Sequence, residues 1–191
     1  MDNKTALIVP VAGADPVVRP LRRALYPDLD SGMPAHVTLM YPFLPPDAVD
    51  ERVRVLLRES FEPYSPFTVT FRRPVRKEGL LYLDPEPRRP FEVLHLQIRS
   101  IWPDMLPYEG KFGEEYTPHL SVAYGEEGLA DPDGVFGPLE ASLDPHLPVT
   151  AQAQAVWLVV REGGHWLHLG TFRLLGDAPV FQQRGPGDDQ P

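Results

Sequence analysis

The sequence predicts an α+β fold: one domain of two pseudo-symmetric lobes, with mostly antiparallel sheets flanked by helices and a central cleft. Three observations carry this. Strand and helix patterns are mixed along the chain, and several neighbouring strands are joined closely enough to pair antiparallel. A six-residue unit occurs twice, as HVTLMY from His36 and as HLSVAY from His119, each after a proline-containing turn at Pro34 and Pro118. The length of 191 residues, 42% of them apolar, suits a single domain with a sizeable core.

The elements follow in order. ALIVPV, residues 6–11, reads as a buried strand. Asp15 and Pro16 form a helix start, and Val17, Val18, Leu21 and Leu25 share one helix face. Pro20 within that stretch lacks the donor an interior position needs, so the helix starts or kinks there. After the loop PDLDSGMP, HVTLMYPF reads as a strand. Asp47 is expected to cap the next helix, which runs to about Phe61 with Val49, Val53, Leu56, Leu57 and Phe61 at helical spacing.

FTVTFRRPV and GLLYLDPEP read as an antiparallel strand pair. A helix from Arg89 to Ile101 lines up Phe91, Leu94, Ile98 and Ile101. PDMLPYEGKFGEEYTP is a loop and HLSVAYG a strand. Asp131 and Asp133 in ADPDG mark a turn, since the other ligands of a calcium loop are missing. TAQAQAVWLVV is taken as one strand of a hairpin, closed by Gly163 and Gly164 and completed by WLHLGTFRLL. This makes about seven strands and three helices across residues 1–175, with a disordered tail over residues 176–191.

Composition excludes some function classes. There is no cysteine, so disulfides, thiolate catalysis and Cys-based zinc sites are absent. With no apolar leader at MDNKTALIVPV, this is consistent with a cytoplasmic protein, and no membrane partner is expected. The net charge of −9 argues against nonspecific binding of nucleic-acid backbones. Two basic clusters stand against that background: Arg19, Arg22 and Arg23, then Arg72, Arg73, Arg76 and Lys77. They read either as solvated faces or as a rim guiding a phosphorylated ligand to a cleft.

The chemistry centres on the repeat. Successive side chains on a strand face opposite ways. His36 and Thr38 therefore share one face, and Val37 and Leu39 the other; the second copy places His119 and Ser121 against Leu120 and Val122. If each lobe sets one copy against its mate across the cleft, His36, Thr38, His119 and Ser121 converge. Histidine exchanges protons near neutral pH. Two opposed histidines can serve as base and acid for displacement at phosphorus. Hydroxyls two residues on can hold non-bridging oxygens. A single His-x-Thr strand is as readily a packed or exposed histidine, but two matched copies are not easily coincidental. Metal binding by His36 and His119 lacks a companion carboxylate motif, and no metal or cofactor is expected.

The pair HVTL and HLSV resembles the motifs of the two-histidine (2H) phosphoesterase superfamily, and MPAHVTLMYPF is similar to segments of bacterial members of its 2′-5′ RNA ligase-like branch. The resemblance covers nearly all of the chain before the tail. It implies a bilobal fold with pseudo-twofold symmetry and metal-independent action on 2′,3′-cyclic phosphates of nucleotides or RNA ends, with reversible 2′-5′ ligation as a companion activity. Carried over by motif, His36 and His119 are the acid–base pair, and Thr38 and Ser121 the phosphate-holding hydroxyls. For opening a cyclic phosphate to a 2′-phosphate, the expectation is His119 as base and His36 as acid. Many relatives acting on RNA ends have arginine five residues after the second histidine; here that residue is Tyr124.

Tyr82, Phe112 and Tyr124 are the candidate base-stacking residues, each with core or loop packing as the plainer alternative. Strand alternation places Tyr124 on the face opposite His119, which favours packing for it and for Tyr41. His95, His146, His165 and His168 have no motif partner, and His168 reads as structural. Two other functions compete: a nucleotide- or phosphometabolite-binding module without turnover, and a hydrolase of another small cyclic phosphate, such as an ADP-ribose type. No obligate protein partner is expected, and the chain is expected to be a monomer.

Overall fold

The computed structural model describes residues 3–25, 33–77, 79–111, 113, 115–124 and 132–177. Phe112, Asp131 and the tail beyond residue 177 lie outside these residues. The described chain forms eight strands and four α-helices. In order they are β1 (Lys4–Pro10), α1 (Asp15–Leu25), β2 (His36–Met40), α2 (Glu51–Phe61), β3 (Phe67–Lys77), β4 (Leu80–Glu86), α3 (Arg89–Ile101), β5 (Leu120–Tyr124), α4 (Pro132–Leu143), β6 (Val149–Ala153), β7 (Ala155–Glu162) and β8 (His165–Arg173).

The strands build two four-stranded sheets, ordered β2-β1-β7-β8 and β5-β4-β3-β6, and every pairing is antiparallel. The two-lobed α+β expectation holds. In each sheet the repeat strand lies at one edge, β2 beside β1 and β5 beside β4. The two edge strands approach each other, which brings the copies together between the sheets. One apolar core joins both lobes, with Leu7, Leu39, Phe61, Phe71, Phe91, Leu120, Phe136 and Leu158 all fully or almost fully buried.

Four local expectations are corrected. The stretch from residue 150 to 160 is two strands: Gln154 separates β6, which pairs with β3, from β7, which pairs with β1. Both halves carry the same strand pattern, so periodicity alone does not reveal that the chain changes sheets there. Helix α4 had no sequence signal, because Gly134, Gly137 and Pro138 are poor interior residues; Phe136, Leu139 and Leu143 nevertheless bury one face of it. Asp50, whose side chain accepts from Val53 N at 2.9 Å, caps α2; Asp47 falls in a preceding 3₁₀ turn, Pro46–Ala48. Gly176, placed at the start of the tail, is tied down: its N–H donates to the Tyr64 carbonyl at 2.9 Å, and a Cβ there would overlap Pro63.

Pro20 lies inside α1, which runs unbroken from Asp15 to Leu25. No helix among the described residues is long and apolar enough to cross a membrane.

Candidate active site

Both copies of the repeat carry the same backbone irregularity. In β2, Thr38 pairs with Ile8 and Met40 with Leu7, so Leu39 is an extra residue. In β5, Ser121 pairs with Tyr82 and Ala123 with Leu81, so Val122 is extra. Each copy thus has a β-bulge one residue after its hydroxyl. A bulge breaks the alternation of side chains beyond it. Tyr124 consequently pairs with Leu80, on the same face as Tyr82 and Ser121. It is 59% exposed, and with Leu80, Tyr82, Tyr108, Tyr116 and His119 it lines a cavity of about 150 Å³. The expected core packing of Tyr124 is therefore corrected. Its partner Tyr41 is likewise only partly buried; its ring meets Tyr108 edge-on at 6.2 Å and Trp166 at 5.8 Å.

The histidines are held alike. His36 Nδ1 lies 2.8 Å from the carbonyl of Pro34, and His119 Nδ1 lies 2.8 Å from the carbonyl of Thr117. A carbonyl only accepts, so each Nδ1 carries the proton. Each neutral ring then keeps its lone pair on Nε2. The contact is local, two residues back along the chain, so each motif orients its own imidazole.

The electrostatics keep both rings neutral. His36 is lowered to about 4, first by burial, then by the positive Arg22, with a smaller contribution from His119; its bond to Pro34 acts in the opposite direction. Burial also lowers His119, against the bond to Thr117. His95 is lowered by burial and by Arg99. With a folded value near 4 and an unfolded value of about 6.5, the unfolded chain takes up the proton first. His36 therefore contributes stability above about pH 6.5 that is lost as pH falls towards 4, amounting to about 3 kcal/mol at most. His95 and His119 act in the same direction. Denaturant unfolding at successive pH values should show stability falling from pH 7 to pH 4.5. His36→Gln should flatten that slope; an unchanged slope would contradict the assignment.

The bulged strand is held from the opposite lobe. His95 Nδ1 donates to the Leu39 carbonyl at 2.8 Å, and the Tyr116 hydroxyl donates to the Thr38 carbonyl at 2.8 Å. The two rings stack at 4.1 Å with 9° between their planes. Tyr108 is half-buried, its hydroxyl is hydrogen-bonded to the Thr38 side chain, and desolvation raises its pKa. Either hydroxyl can donate in this contact; where Tyr108 donates, the Thr38 proton is left for a bound anion. Tyr108 and Glu109 are both left-handed, at φ 53° and 57°. For residues with a Cβ this costs about 1–2 kcal/mol each, and such strain clusters at functional sites. Lys4 holds Glu109 at 2.7 Å.

The structure thus brings His36, Thr38, His119 and Ser121 to two facing strands. It sets the buried Tyr82 edge-on to His119 at 5.4 Å. The sequence reading missed Tyr108, Tyr116 and His95 because they are distant in the chain from the strands they support. Of the remaining histidines, His168 meets Thr171 at 2.9 Å and Trp157 edge-on at 4.8 Å. The basic clusters divide. Arg72 pairs with Glu86 and Arg76 with Glu140, whereas the charge of Arg22 opposes a charge on His36 and Lys77 lines the cavity.

Paired, self-orienting histidines at the edges of two antiparallel sheets define a protein of the two-histidine phosphoesterase class. The comparisons name the branch: residues 9–165 match the family model of the 2′-5′ RNA ligase superfamily, and the chain belongs to that family. Solved structures share the fold. TT0787 of Thermus thermophilus is 16% identical with a TM-score of 0.58, covering 91% of this chain and 99% of its own. Escherichia coli LigT complexed with 3′-AMP is 14% identical with a TM-score of 0.59, over the same shares of 91% and 99%. LigT has also been solved with ATP, at 13% identity, a TM-score of 0.56 and coverage of 91% and 99%. No curated protein matches. Membership supports a phosphodiesterase or RNA-ligase type of activity.

Proposed function

We propose that this protein is a phosphodiesterase that opens 2′,3′-cyclic phosphates of nucleotides or RNA ends by acid–base catalysis at His36 and His119. The observation that carries the reading is the matched pair of Nδ1–H contacts to Pro34 and Thr117, which leaves two Nε2 atoms for proton transfer. One histidine removes a proton from water as its oxygen bonds to phosphorus. The other, carrying a proton on Nε2 once the phosphate is bound, donates it to the ribose oxygen as the P–O bond breaks. Thr38 and Ser121 donate to the non-bridging oxygens. With the 5′-hydroxyl of a second RNA end in place of water, the same forward steps open the cyclic phosphate and join the two ends through a 2′-5′ bond; run backwards, they cleave that bond.

Arg22 makes His36 the harder of the two to protonate in the free protein. This favours His36 as base and His119 as acid, the reverse of the assignment expected from the sequence. Tyr82 and Tyr124 border the cavity beside His119, which supports reading them as base-contacting residues. LigT, which shares this fold, has been solved with the nucleotides 3′-AMP and ATP, and a cavity of about 150 Å³ beside His119 has room for part of such a ligand.

The test is hydrolysis of the four nucleoside 2′,3′-cyclic monophosphates in EDTA, with the product isomer read by phosphorus NMR. Turnover that persists in EDTA is the expected result. Binding without turnover on any cyclic phosphate would favour the nucleotide-binding module instead.

A further inference from the structure

The four motif side chains include no fixed positive charge. Both histidines are neutral, Thr38 and Ser121 are hydroxyls, and Tyr124 stands where an arginine would follow the second motif. Yet any phosphodiester bound between them is an anion. Helix α1 supplies a cation. Its first residue, Asp15, accepts a hydrogen bond from Ala35 N at 2.6 Å, one residue before His36, so the start of the helix is tied to the motif strand. One helical face carries the fully buried Val18, and Arg22 follows four residues later on that same face. The helix also packs against β5, the strand of the other motif. Arg22 is half-buried, and among the described residues no carboxylate pairs with it.

We propose that Arg22 is the phosphate-anchoring cation of this site, holding non-bridging oxygens of the phosphoester between His36 and His119. This rests on the phosphoester reading given above. A guanidinium presents a planar fork of donors that matches two phosphate oxygens at once. The placement has a second consequence. Arg22 from α1 and His119, the residue before β5, both oppose a charge on His36. A bound phosphate offsets the guanidinium, so a proton can then reside on the histidine pair. Anion binding and proton uptake are thereby linked.

The experiment follows the histidine ring signals by NMR through pH titrations, with and without inorganic phosphate. It compares the parent chain with Arg22→Ala, Arg22→Gln and Arg22→Lys. Arg23→Ala, exposed and next on the helix, is the control. Phosphate should raise the apparent pKa of His36 in the parent. Arg22→Ala should raise it without phosphate, weaken phosphate binding by about tenfold or more, and lower kcat/KM on a cyclic nucleotide by about 10²-fold. Arg22→Lys should recover part of the binding, and Arg23→Ala should change it little.

The proposal is overturned if the parent binds no phosphate, or if folded Arg22→Ala and Arg22→Gln leave both phosphate affinity and the His36 titration unchanged. If phosphate binding depends on Arg22 but no cyclic phosphate turns over, the anion site stands and the catalytic reading fails.

Discussion

Replacing either His36 or His119 with alanine should lower turnover of a cyclic phosphate by about 10²–10⁴-fold, the usual effect of losing one acid–base group. Nucleotide affinity changes far less. The two motifs are built alike, with the same Nδ1 contact and the same bulge, and in the proposed reaction each imidazole carries half of one proton exchange. The double variant should be little worse than either single one, because groups that act as a unit lose their function together. The pH dependence of kcat/KM should be bell-shaped, with apparent pKa values that belong to the pair. Both rings start with lowered values, which moves the acid limb below the usual histidine range. Steady-state kinetics on the single and double variants check this. A single variant that retains more than about a tenth of the parent rate would remove that histidine from the mechanism.

Breaking the stacked pair behind β2 should cost the most stability for the least change to the cleft's chemistry. Removing the Tyr116 hydroxyl leaves the Thr38 carbonyl without its donor, and His95→Leu does the same to Leu39. An unsatisfied buried polar group costs about 1–3 kcal/mol, a sizeable share of the ~5–15 kcal/mol that holds a typical domain. Tyr116→Phe keeps the ring and its stacking and removes only the donor, so it isolates the hydrogen bond. Because Thr38 sits on the released strand, kcat should fall in Tyr116→Phe while KM stays close to the parent value. Urea unfolding together with steady-state kinetics reads both effects. Unchanged stability and unchanged kcat in both variants would mean that β2 holds its bulge without help from the other lobe.

Much of the fold was legible because each element announces itself locally. Alternating Val37 and Leu39, helical Phe91, Leu94 and Ile98, and the Gly163–Gly164 turn each encode structure within a few residues. Likewise, the repeat marks His36, Thr38, His119 and Ser121 because each copy contains its own histidine, orienting carbonyl and hydroxyl. The misread elements were those settled by distant packing. Gln154 sends the chain from one sheet to the other because β3 and β1 both need a partner strand. Helix α4 forms despite its glycines and proline because burying Phe136, Leu139 and Leu143 outweighs weak propensity.

By itself the sequence determined the α+β class, the duplicated motif and the four side chains at its centre, since all of these depend on residue type and short spacing. Only the tertiary structure decided what surrounds them. Register places a bulge after each hydroxyl and so turns Tyr124 towards the cavity, where simple alternation points it away. Packing between lobes sets His95, Tyr116 and Tyr108 on a strand far from them in sequence. The tie of helix α1 to the motif strand brings the charge of Arg22 within electrostatic reach of His36. Hydrogen bonds and electric fields act through space, and a linear pattern records only neighbours along the chain.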